Sequence, residues 1–170
     1  MKDLIKKILK EESKDEYIFE IPNLGFIPNT DLGSDKGVTE AWDELLRLLN
    51  GKPFIFDDDL KLNFTNITSL VNLQSVNGDL SLHHCEKLTS LGNLQSVNGG
   101  LDLSYTEITS LGNLQSVNGG LDLYKCNQLT SLGNLQSVNG FLDLRNTPIS
   151  EKYSEEEIRQ MVNVKGDIYI

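Results

Sequence analysis

The sequence predicts an α/β solenoid with a parallel concave β-sheet, an N-terminal α/β cap over residues 1–59 and a C-terminal helix-strand cap over residues 151–170. Two observations predict the solenoid and one predicts its ends. The phrase LTSLGNLQSVNGGLDL at 88–103 recurs at 108–123, with Ile108 for the first leucine, and its core returns twice more. Aligning the chain on itself sets Leu60, Leu80, Leu101, Leu121 and Leu142 in one column and Leu62, Leu82, Leu103, Leu123 and Leu144 in a second, at intervals of 20, 21, 20 and 21 residues. Periods of this length mark units of one short strand plus a return segment, which bury their apolar side only by stacking. The flanks lack the phrase and carry helix and strand patterning instead. A chain of 170 residues is long enough for one such array with its ends covered.

At the N-terminus, Leu4, Ile5, Ile8 and Leu9 recur at helical spacing. So do Trp42, Leu45, Leu46 and Leu49, ahead of the stop signal Gly51-Lys52-Pro53. Between them YIFEI reads as a strand. FIF at 54–56 and LKLNF at 60–64 flank Asp57-Asp58-Asp59 and suit a hairpin, with one continuous strand as the alternative.

In residues 60–150 each L-x-L is a strand whose leucines point inward and whose intervening residues face solvent. Three residues after the second leucine stand Thr65, Cys85, Thr106, Cys126 and Thr147. After a threonine the chain returns to an apolar residue as T-x-I, and after a cysteine as C-x-x-L. The alternation of period is thus one residue inserted in the turn, where it disturbs neither strand nor stack. In the return segment Leu91, Leu94 and Val97 are expected inward, with Asn98, Gly99 and Gly100 at a bend that needs positive φ.

The pattern L-x-L-x-x-(N/T/C)-x-L is similar to the consensus of the leucine-rich-repeat family. The short return segment SLGNLQSVNGG also looks like receptor L domains and short bacterial and phage repeat proteins. The resemblance covers about residues 60–150 and implies that the ladder residue satisfies backbone groups in the turn. Asparagine, frequent there in the family, never occupies that position here. A fold this widely reused implies little about activity.

At the C-terminus Ser154-Glu155-Glu156-Glu157 is a capping box ahead of Ile158, Met161 and Val162, which predicts a short helix. GDIYI follows, with Ile168 and Ile170 expected to repeat the L-x-L strand.

The formal net charge of −10, most of it in residues 1–59, disfavours phosphate backbones and favours basic partners. Charges break every apolar run of MKDLIKKILKEESKDEY, so neither an export signal nor a membrane span is expected and a cytoplasmic setting is. There is no H-E-x-x-H, P-loop or nucleophile elbow, and catalysis is not expected. His83, His84 and Cys85 resemble metal ligands, but strand alternation should send neighbours to opposite faces, so no metal or other cofactor is expected. Cys85 and Cys126, two repeats apart, are too distant for a disulfide.

What remains is the row of outward residues, where the copies differ. One position runs Lys61, Ser81, Asp102, Asp122, Asp143; the next but one Asn63, His83, Ser104, Tyr124, Arg145; the third Phe64, His84, Tyr105, Lys125, Asn146. Exposed aromatics beside charges are the composition of protein-binding surfaces. The expected function is a non-catalytic module that binds a basic protein through this face, in its sharpest form an inhibitor of a nucleic-acid-processing or defence enzyme. The residues expected to contact the partner are Phe64, His83, His84, Asp102, Ser104, Tyr105, Asp122, Tyr124, Lys125, Asp143 and Arg145. The alternative is a structural protein, for example a virion component, that self-associates.

Overall fold

The computed structural model describes residues 19–21 and 36–170, so the helix expected at 4–9 lies outside the described residues. The described chain is a solenoid of about four stacked coils with two parallel sheets. One sheet is built from β1 (Phe19–Ile21), β2 (Phe54–Phe56), β4 (Leu73–Val76), β6 (Ser96–Val97), β8 (Ser116–Val117), β10 (Ser137–Val138) and β12 (Asn163–Val164), adjacent in that order. The other, from the L-x-L segments, is built from β3 (Leu60–Lys61), β5 (Leu80–Ser81), β7 (Leu101–Asp102), β9 (Leu121–Asp122), β11 (Leu142–Asp143) and β13 (Ile168–Tyr169). Every coil gives one short strand to each sheet, and bridges from Ser69 to Ser90 and from Ser110 to Ser131 draw a third line of contact between coils.

The leucine columns are the core. Leu60, Leu80, Leu101, Leu121 and Leu142 and their partners two residues on are all buried, as are Leu91, Leu94 and Val97 of the return segment. The second sheet goes beyond the sequence pattern, because Gln-Ser-Val carries one inward residue per strand and looks like loop. Its strands exist because backbone groups packed coil on coil must pair with each other. Gln95 N donates to Gln74 O at 2.8 Å, and Asn98 N to Val76 O at 2.9 Å.

Three expectations about the flanks and bends need correction. FIF and LKLNF form no hairpin: β2 pairs in parallel with β1 and β4, while β3 pairs with β5 in the other sheet. Phe54, Phe56, Leu60 and Leu62 all point into one core from different sides, so Asp57-Asp58-Asp59 is a corner between sheets. Second, the positive-φ glycines of the repeats are Gly92, Gly112 and Gly133 of the SLGN segment, at 57–59°, and not those of Asn-Gly-Gly. Third, Met161 and Ile170 are exposed, although Ile158, Val162 and Ile168 are buried as expected.

The first coil carries Val71 where later coils carry Gly92, Gly112 and Gly133, and its φ is 51°. A β-branched residue there is strained. Its side chain is 41% exposed, so little burial is at stake. Val71→Gly is expected to raise stability by about 1 kcal/mol, read as a higher urea midpoint with an unchanged slope.

Helix α1 (Lys36–Leu49) buries Val38, Trp42, Leu45 and Leu49, with the Trp42 ring 6.0 Å from that of Phe54. It stops where Asn50 and Gly51 take φ of 48° and 80°, as Gly51-Lys52-Pro53 predicts. At the other end Thr147 caps α2 (Pro148–Lys152), and Ser154 and Glu157 form the expected capping box of α3 (Glu155–Met161). The chain then returns through β12 and β13, with Ile168 in register with Leu142. No helix among the described residues is long and apolar enough to cross a membrane.

The return segments explain why the copies hold their exposed residues. Asn98 Nδ2 donates to Asn77 Oδ1 at 3.2 Å, Asn118 to Asn98 at 3.4 Å and Asn139 to Asn118 at 3.0 Å, while Asn77 ends the row on Asp57. Ser69, Ser90, Ser110 and Ser131 each accept from the amide two residues on. A substitution in one coil breaks a bond to the next, so this surface is constrained by its own scaffold.

Candidate functional site: the outer face of the L-x-L sheet

The strand register sets Lys61 beside Ser81, Ser81 beside Asp102, Asp102 beside Asp122 and Asp122 beside Asp143, as the columns predict. The carboxylates are not free, however. Asp102 Oδ1 accepts from Ser104 N at 3.0 Å and from Ser104 Oγ at 2.7 Å. Asp122 Oδ1 accepts from Tyr124 N at 2.9 Å, and Asp143 Oδ1 from Arg145 N at 3.0 Å. Each aspartate therefore also closes the turn after its strand. The spacing D-x-[S/Y/R] carries this signal, and a sequence reading that looks only for charge misses it.

Two residues expected to face solvent do not. Ser104 is 8% and Asp143 4% exposed. Arg145 covers Asp143 through three guanidinium hydrogen bonds, which neutralises that carboxylate within the fold. Among the described residues no guanidinium hydrogen-bonds to Asp122. Burial pushes its carboxyl above the ordinary range, neighbouring Asp102 and Asp143 push the same way, and the Tyr124 amide and the Arg145 charge oppose them.

The third row reveals what the sequence conceals. Phe64, His84, Tyr105, Lys125 and Asn146 all take φ between 55° and 59°. The turn after each strand demands this left-handed backbone, which suits asparagine and costs other side chains about 1 kcal/mol. Strand alternation ends there, so His83 and His84 do not diverge: their rings lie 5.7 Å apart on the same face. His83 Nδ1 stands 3.7 Å from Asp102 Oδ2. The rings stack into a ladder, Phe64 on His84 at 5.1 Å and His84 on Tyr105 at 4.1 Å, with interplanar angles of 8° and 15°. Tyr124 meets Tyr105 edge-on at 5.6 Å. Lys125 Nζ lies 5.0 and 5.3 Å from the Tyr105 and Tyr124 ring centres, and Arg145 Cζ lies 5.4 Å from that of Tyr124. Of the expected contact residues, Phe64, His83, His84, Tyr105, Tyr124, Lys125 and Arg145 thus form one continuous band, whereas Ser104 and Asp143 are buried beneath it. Because ring faces are taken up by one another and by the cations, the band offers edges and hydroxyls rather than open faces.

Beneath the band runs the Thr/Cys column. Leu103 O accepts from Thr106 Oγ1 at 2.7 Å and from Cys126 Sγ at 3.1 Å, and Leu62 O likewise accepts from Thr65 and Cys85. Both cysteines are free and buried. Burial pushes the Cys126 thiol up to about 11. An unfolded cysteine ionises near 9, so the stability from keeping this thiol neutral is fully present below pH 9 and is lost as pH rises through 11. Over that window wild type is expected to lose about 2–3 kcal/mol more stability than Cys126→Thr, measured by urea unfolding at both pH values.

Upstream on the same face lies an open groove of about 350 Å³, lined by Lys61, Asp79, Leu80, Ser81, Gly100, Leu101, Asp102, Gly120, Asp122 and Phe141. Asp79 and Phe141 are additions to the expected set. Phe141 is where the Asn-Gly-Gly phrase breaks, and that departure is a usable signal. Its ring lies where a Cβ on Gly120 would be.

Among the described residues no three His, Cys, Asp or Glu side chains converge as metal ligands. No family model, curated protein or solved structure matches the chain.

Proposed function

We propose that the chain is a leucine-rich-repeat module, closed at its ends by residues 1–59 and 151–170, that binds a basic protein through the concave sheet without catalysing a reaction. One observation carries this reading: the residues that break the repetition gather on one face. There aromatic and charged side chains occupy left-handed positions that Asn146 fills at less cost. Strain that ring stacking at most offsets, gathered on one face, fits a role beyond the scaffold. The acidic charge favours a basic partner surface, and occlusion of a nucleic-acid-processing or defence enzyme is the form that fits it best. Two buried, unpaired thiols fit a reducing, cytoplasmic compartment.

The test is quantitative affinity capture from the native host with three baits. Wild type and the convex variant Gln95→Ser/Gln115→Ser are expected to retain the same basic protein, and the concave variant Tyr105→Asn/Tyr124→Ser to lose it. Retention by the concave variant contradicts the proposal.

A second reading, self-association as an assembly component, is favoured by the last coil. Met161, Tyr169 and Ile170 are exposed there, and among the described residues β12 and β13 have no strand on their outer edges. A concentration-independent monomer in light scattering counts against it.

A further inference from the structure

The groove over Gly100 and Gly120 has a chemistry of its own. Its lining is mostly apolar, formed by the Phe141 ring, the two glycines and the backbone of Leu80 and Leu101, whose side chains are buried in the core, and Asp102 and Asp122 line it too. Phe141 closes one end. In preceding coils its position is held by Asp79, Gly100 and Gly120, and the ring stays 42% exposed, so it adds little to the core. Among the described residues no cation lies over Phe141, whereas Tyr124 and Tyr169 each have Arg145. Arg145 gives its hydrogen bonds to Asp143 and reaches Asp122 only through its charge, His83 stands 3.7 Å from Asp102, and Lys61 lies three strands from Asp122.

We propose that this groove receives an arginine side chain of the basic protein partner, its aliphatic stem over the bare backbone of Gly100 and Gly120 and its guanidinium between Phe141 and the Asp102 and Asp122 carboxylates. Charge complementarity selects a cation. The apolar lining and its ring select one with a long stem and a planar head, which stacks on an aromatic face while donating to carboxylates. The size of the groove, at the lower end of the range for small-molecule sites, suits a side chain. Removing water from around Asp122, which already raises its carboxyl, is offset by a bound guanidinium. The inference rests on the concave sheet being the docking face.

The experiment titrates the isotopically labelled full chain with the blocked peptide Gly-Gly-Arg-Gly-Gly and with its citrulline counterpart, which keeps the shape and loses the charge. Amide shifts are expected at Gly100, Leu101, Gly120 and Phe141, with binding at least about fivefold weaker for citrulline. The same loss is expected in Phe141→Gly and in Asp122→Ser. Both variants insert residues that other coils already carry, Gly120 and Ser81, so a dispersed spectrum is expected from each. Equal response to citrulline, or no shift at these amides in wild type, overturns the proposal. Capture that depends on Tyr105 and Tyr124 while the peptide fails to seat removes the groove inference alone. A peptide that seats while capture ignores those tyrosines removes the docking reading alone.

Discussion

Gly119→Val is expected to cost about 3–5 kcal/mol, close to the whole stability of a small domain. A Cβ on Gly119 would lie 2.6 Å from Gly100 N and 2.8 Å from both Gly100 Cα and Gly99 C. These are backbone atoms of the neighbouring coil and have no flexible end to move. The coil can yield only by lengthening the ladder in which Gly119 N donates to Gly99 O at 2.8 Å and Gly140 N to Gly119 O at 2.9 Å. Overpacking and lost hydrogen bonds therefore add. Gly112→Val is the control: φ is 57°, yet nothing lies within 4 Å of its Cβ, so only left-handed strain of about 1–2 kcal/mol is expected. Urea midpoints of the two variants separate close approach from dihedral strain. Equal losses would mean that the Asn-Gly bends do not hold the coils in register.

Tyr105→Asn/Tyr124→Ser is expected to weaken partner binding on the order of 100-fold, the effect of removing two aromatic anchors from the centre of an interface. The same change is expected to leave stability within about 1 kcal/mol, because two terms oppose each other. Stacking of Tyr105 on His84 at 4.1 Å is lost, worth about 0.5–1.5 kcal/mol. In return a left-handed position receives asparagine, the residue the last coil carries at Asn146 with φ 59°. The Tyr124→Ser change repeats what the preceding coil already carries at Ser104, whose hydroxyl bonds to its own aspartate at 2.7 Å. Binding and stability are thus decoupled, which a purely structural ladder does not predict: there the double variant would unfold more easily and bind as before.

The leucine columns, the inward Thr/Cys ladder, the α3 capping box and the return of Ile168 to the sheet are all legible in the sequence, since each is set by spacing or by a local cap. The second sheet is not, because a strand such as Ser96–Val97 buries only its valine and is held by bonds between coils that no single coil carries. The two classes of glycine read in reverse: Gly112 answers a dihedral demand, Gly119 a demand for close approach and Gly92 both, and only coil-on-coil geometry tells them apart. On the outer face of the L-x-L sheet the identities of the proposed contact residues are readable from where the phrase stops copying itself. Their state is not. Asp143 is covered by Arg145, two residues on and on the same face, and His83 and His84 share one face because the left-handed backbone at His84 ends the alternation of the strand.

Hydroxyl-radical footprinting of the chain alone and bound to its captured partner tests the central claim most directly. Tyr105, Tyr124 and His84 are expected to be protected on binding, while Met161, 49% exposed on α3, keeps its reactivity. Protection at Met161 with the concave rings unchanged would contradict the account and move the interface to the end of the solenoid.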